Sequence, residues 1–275
     1  MDISQFHLAF SVINSIAIGS LGFLVFFKKR KSITNKLFSL FALSTVVCII
    51  FNYLCDTPSQ ATNALFWNRA TVGISILTAL FFIHFASAFP VDEMKFPFSL
   101  KIISLIGCTL IFITLFTNLI VKDIQFLEWG TNIVGGPLYL FYFIFVFFIT
   151  GGVFFIIIKK YRRAQGLERL QLQYIFLGLF LYAVVILTLS AILPMVTGSV
   201  KFAKFGLYGN FFFVVFTALA ITRYHLFGIE IILTEILVGV IGILLLIQIF
   251  IAPTIFWKII NGIIFLLFCI FGYLL

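Results

Sequence analysis

The stretch at residues 6–31, "FHLAFSVINSIAIGSLGFLVFFKKRK", begins with a run free of Lys, Arg, Asp and Glu and closes on Lys28, Lys29, Arg30 and Lys31. A helix of about 20 apolar residues crosses a hydrocarbon core of roughly 30 Å. A cleaved leader would instead carry a basic start and an apolar core of only about 7–15 residues. Here Asp2 precedes the run, the run is longer, and the positive charge follows it. The stretch therefore predicts an uncleaved first span with its N-terminus outside, because Lys and Arg collect on the cytoplasmic side.

The same pattern continues along the chain. Hydrophobic residues make up 63% and charged residues 10%, against about 45–50% and 25% in soluble domains. So much apolar surface cannot be hidden in a soluble core. The apolar runs are continuous and do not alternate, which argues against a membrane barrel. Nine spans are expected, over 6–27, 37–54, 69–89, 100–120, 138–158, 172–193, 205–221, 235–251 and 256–275. Of the 18 basic residues, all but Arg69, Lys122, Lys201, Lys204 and Lys258 fall at connectors on one side, which is read as cytoplasmic. Trp67, Trp129 and Trp257 fall at the other side, as half of an aromatic belt. Topology thus accounts for the net charge of +9, and no nucleic-acid partner is expected.

The expected fold is an all-α, polytopic membrane helical bundle. A seven-span block occupies 1–221, a cytoplasmic interfacial connector 222–234, and a two-span hairpin 235–275. With the N-terminus outside, the C-terminus is cytoplasmic. The final run, "IIFLLFCIFGYLL" (263–275), has no polar cap. It predicts continuation into a cytoplasmic output domain; the alternative is a chain that ends at the interface.

Few residues offer chemistry. Every acidic residue sits in a loop or at a span end, so neither a proton relay nor a charged pore ring is expected. There is no His-Glu-x-x-His and no Gly-rich nucleotide loop, so no catalytic residue, metal site or cofactor is expected. Cys48, Cys55, Cys108 and Cys269 form no Cys-x-x-Cys pair and read as small buried hydrophobes. His84 is either a titrating sensor group or a neutral imidazole bonded to a neighbouring helix. Arg69 is either an interfacial anchor or one wall of an outward-facing polar pocket, with Asn52, Asn118 and Asn210 as partners. The stretch 159–174, "KKYRRAQGLERLQLQY", reads as a basic inner loop able to touch anionic head groups. The stretch 222–235, "TRYHLFGIEIILTE", reads as the interfacial connector, with Arg223, Tyr224, His225 and Glu230 as candidate coupling residues.

Several short motifs, in order, resemble the seven-transmembrane N-terminal sensor region of bacterial histidine kinases. They are "LFALS" (40–44), "FWNR" (66–69), "FIHFASAFP" (82–90), "QLQYIFLGL" (171–179) and "ALAITRYHLFGIE" (218–230). The last matches an Ile-x-Arg-Tyr-x-Leu-x-x-Ile pattern through Ile221, Arg223, Tyr224, Leu226 and Ile229. It departs at Gly228, where that family often has an acidic residue. The resemblance implies a sensing and signal-transmitting module of a two-component system, not itself an enzyme, placed in the bacterial inner membrane. The expected partners are the lipid bilayer, a second copy in a homodimer and, in a full-length protein, a cytoplasmic kinase domain or response regulator. The competing function is a small multi-span transporter or lipid-handling protein, which would need broken helices and midplane charge. Gly135-Gly136-Pro137 and Gly151-Gly152 offer the first of these features but not the second.

Overall fold

In lipid an unpaired backbone N–H or C=O has no water to turn to, so each apolar run closes its own hydrogen bonds as a helix. The computed structural model describes residues 3–56, 61–92, 97–127, 130–193, 200–222 and 262. The chain divides into two compact units, His7–Ile221 and a second made of Met1–Phe6 with Thr222–Leu275. The helical bundle is the first of these.

Its helices are α1 (Ile3–Lys28), α2 (Ile33–Cys55), α3 (Ala61–Ala88), α4 (Phe98–Phe116), α5 (Tyr139–Arg163) and α6 (Gly166–Leu187). A π-helical turn (Thr188–Ile192) extends α6, and a 3₁₀ segment (Val200–Gly209) leads into α7 (Asn210–Thr222). Among the described residues six helices are long and apolar enough to cross a membrane, and a further apolar helix, Phe205–Ile221, is shorter. The expected spans 235–251 and 256–275 lie outside the described residues.

Two expectations need correction. The helices outrun their apolar cores: α3 starts at Ala61, so Arg69 lies two turns inside it rather than at its start. Likewise 159–174 is not a loop but the end of α5 and the start of α6, joined at Ala164–Gln165. Hydropathy registers only the part of a helix that sits in hydrocarbon, whereas the backbone stays helical into the polar interface. The all-α expectation holds for the bundle, to which the fold adds one element that was not expected. A β-hairpin stands between α4 and α5, with β1 (Val121–Leu127) antiparallel to β2 (Gly130–Gly135). Its pairing runs from Val121 opposite Gly135 to Leu127 opposite Gly130.

α3 is the hub, packing on α2, α4 and α5, and it is the most buried of the six long helices. Between helices in lipid there is no hydrophobic drive, so association rests on close packing and hydrogen bonds. Both are visible in the bundle. At Gly22 of α1 an added Cβ would lie 2.8 Å from the Cβ of Ala42 on α2, so only glycine permits that approach. Asn35 Nδ2 of α2 donates to Val25 O of α1 at 2.7 Å. Ser39 Oγ donates to Gly22 O at 2.8 Å. Phe41 of α2, Phe82 of α3 and Phe213 of α7 form a ring trio with centroids 4.8–5.3 Å apart. Val72 and Ile76 of α3, Leu110 of α4, and Ile120 and Val121 at the hairpin's base make a buried apolar cluster that seats the hairpin.

Candidate functional site

Polar contacts between elements gather at the two ends of the bundle. At the hairpin end, His7, Ser11 and Asn14 follow the i, i+4, i+7 spacing that places them on one face of α1. All three are buried, and His7 is only 1% exposed. His7 Nδ1 lies 3.5 Å from Asp56 Oδ2, just past the end of α2. Its ring meets Tyr53, Phe205 and Tyr208 edge-on, with centroids 5.4–5.9 Å away. Ser11 Oγ shares a 2.7 Å hydrogen bond with the Tyr208 hydroxyl. One junction thus joins α1, the end of α2 and the 3₁₀ segment.

Asp56 extends this junction to the hairpin. Thr131 N of β2 donates to Asp56 Oδ1 at 2.9 Å, and Thr131 Oγ1 donates to Cys55 O at 3.2 Å. Asn68 Nδ2 of α3 donates to Thr131 Oγ1 at 3.2 Å. The approach needs Gly130, whose φ of +144° is a backbone that side-chain-bearing residues rarely adopt. A Cβ there would overlap the Asp56 carboxylate.

Arg69 binds the other side of the hairpin. Its Nε and Nη2 donate to Val121 O at 3.3 and 3.1 Å, and Nη2 also donates to Asn118 Oδ1. Of the residues expected around it, the structure brings Asn118 to Arg69. Asn52 stands on α2, and Asn210 is buried at the start of α7.

His84 lies near the opposite end, one turn from the end of α3. Its Nδ1 is 2.7 Å from Leu80 O, and Nε2 is 3.2 Å from Ser104 Oγ of α4. At the same end Asp92, at φ 60°, accepts from Ser32 Oγ at 2.7 Å and Thr34 N at 2.9 Å, with Lys29 Nζ 3.6 Å away. Burial pushes the Asp92 carboxyl up, but these hydrogen bonds and the Lys29 charge outweigh it and hold it below the ordinary carboxylate value. Lys160 of α5 reaches the last turn of α3, where its Nζ donates to Ala86 O at 2.9 Å, Ser87 O at 2.6 Å and Phe89 O.

Arg223, Tyr224, His225 and Glu230 lie outside the described residues. Among the described residues no three His, Cys, Asp or Glu side chains come together as a metal site. Cys48 and Cys55 are buried as expected, whereas Cys108 is exposed on the face of α4, an ordinary place for a thiol against lipid. His7, Asp56, Thr131 and Lys160 were not singled out from sequence. For His7 a signal existed in the polar i, i+4, i+7 row through an apolar helix. The Asp56–Thr131 and Lys160–Ala86 pairs join residues more than seventy positions apart along the chain.

A polar junction thus ties the hairpin to one end of a bundle of apolar helices. A family model described as the N-terminal 7TM region of histidine kinase matches residues 8–230. The match takes in all five sequence motifs, including the stretch 218–230. No curated protein and no solved structure matches the chain. The chain is a multi-pass membrane protein that belongs to the family of N-terminal seven-transmembrane regions of histidine kinases.

Proposed function

We propose that the chain is the sensing and signal-transmitting module of a two-component histidine kinase in the bacterial inner membrane, without catalysis of its own. The hairpin end faces outward and receives the stimulus. The basic end faces the cytoplasm, where the connector 222–234 and the spans after it pass the change to a kinase domain, in a homodimer. Family membership carries this reading. The buried His7 of α1, tied to Asp56 and through it to Thr131 of the hairpin, supports it, since an ionisable side chain in a membrane helix is costly to keep without a role.

Orientation is tested with a reporter that fluoresces only in the cytoplasm. Inserted after Ala164, between α5 and α6, it is expected to glow; inserted after Asp123, in β1, it is expected to stay dark. The reverse pattern would put the junction on the wrong side for an external stimulus. Transmission is tested by joining a coiled-coil linker and kinase core after Leu275 and adding one to seven residues at the join. A helix turns about 100° per residue, so autophosphorylation should oscillate with insert length. Most of it should return at about four and seven residues. A flat series in an inserted, folded fusion would reduce the chain to an anchor.

A further inference from the structure

α5 packs chiefly on α3, and α6 chiefly on the π turn and 3₁₀ segment that follow it. Between α5 and α6 lies a cavity of about 510 Å³, walled by Ile157, Ile158, Phe176, Leu177 and Phe180. That volume lies in the range of small-ligand sites. Four of these walls, Ile158, Phe176, Leu177 and Phe180, are themselves exposed, so the slot opens on the face that meets lipid.

The chemistry changes at one end. Tyr161 and Gln173 complete the lining, and Gln173 Nε2 donates to the Tyr161 hydroxyl at 3.2 Å. The Arg169 guanidinium stands 5.0 Å from the Tyr161 ring centroid. Lys159, Arg162 and Arg163 are exposed on the last turns of α5, and Glu168 is the acidic residue of the α5–α6 turn; the cation placed at the mouth itself is Arg169. An apolar slot with a hydrogen-bonding rim and a guanidinium at its mouth, at a basic helix end, matches an acyl chain that ends in an anionic head group.

We propose that the α5–α6 slot is a binding site for an anionic phospholipid, with one acyl chain between the helices and the phosphate at Arg169. The occupant is a lipid because the slot opens sideways on an apolar face. It is anionic because the mouth is cationic. The site lies in the leaflet at the basic end, whichever way the chain is inserted, and so does not depend on the sensor reading.

The test uses the full chain, titrated in detergent with phosphatidylglycerol and with phosphatidylcholine, and reads bound lipid by native mass spectrometry. Phosphatidylglycerol is expected to be retained in preference. Arg169→Gln, an exposed change that leaves the fold intact, should lower that preference about fivefold, the share of one cation near a charged head group. Leu177→Trp, which fills the slot, should remove retention of both lipids. Equal retention of the two, unmoved by either variant, would mean lipid bound nonspecifically around the helices and would overturn the proposal. So would a wild-type chain that retains no lipid because the slot is filled by residues 223–275 or, as a dimer mass in the same spectra would show, by a second copy.

Discussion

Gly130→Val is expected to release the β-hairpin from the end of α2 while leaving the helical bundle inserted. Two effects act together. The φ of +144° is open to glycine, and forcing a branched residue into it costs about 1–3 kcal/mol. The new Cβ would also overlap the Asp56 carboxylate, so the bonds from Thr131 N and Thr131 Oγ1 would be lost, at about 0.5–1.5 kcal/mol each. The total, about 2–6 kcal/mol, falls on hairpin docking alone. The Thr131 amide, which bonds the α2 end, and with it the other hairpin amides should then exchange with solvent much faster, while exchange in α2 and α3 stays slow. Gly151→Ala is the control, because nothing lies within 4 Å of its added Cβ. Unchanged hairpin exchange would show that the Asp56 tie does not hold the hairpin. In a kinase fusion the same variant should blunt any response that enters through the hairpin end.

Lys160→Met is expected to lower bundle stability by about 2–4 kcal/mol, through loss of a charged donor shared by three carbonyls. The last carbonyls of a helix have no partner within it, and a cation at that end also meets the favourable side of the helix dipole. Methionine keeps most of the chain length and removes the donor, so the loss reads the cap rather than the packing. Its neighbour Lys159 is exposed, and Lys159→Met should change stability by no more than about 0.5 kcal/mol. Unfolding titrations in mixed micelles would compare the two. Equal losses, large or small, would mean that the reach of Lys160 to α3 carries no special weight.

What could be read in advance divides along a physical line. Hydrophobicity and charge act locally, so the apolar helices, the end of the first near Lys28, and the basic asymmetry were legible in Phe6–Lys31 and its repeats. The hairpin was legible only in principle. "VKDIQFL" and "TNIVGG" flank a turn at Gly130, but a search for long apolar runs passes over strands this short. The polar junction was less legible still. Asp56 at a span end looked like any interfacial acid, and only the fold places it against His7 and Thr131. Asn118 was one of three asparagines named as partners of Arg69 under the pocket reading, beside Asn52 and Asn210. The meeting of Arg69 and Asn118 on Val121 depended on a hairpin that was not foreseen.

The Phe41–Phe82–Phe213 trio has a mechanical meaning. Aromatic pairs prefer particular geometries, and turning α7 by one residue's 100° would carry Phe213 off the Phe41 and Phe82 rings. Thr217, one turn beyond Phe213, has a buried hydroxyl with no hydrogen-bond partner among the described residues. On the α6 side, Gly178 lets the α7 backbone come so close that a Cβ there would lie 3.1 Å from Phe213 Cα. The seat of α7 is therefore a keyed joint, in which interlocking shape sets the angle, while the latches at Asp56 and Lys160 lie away at the two rims.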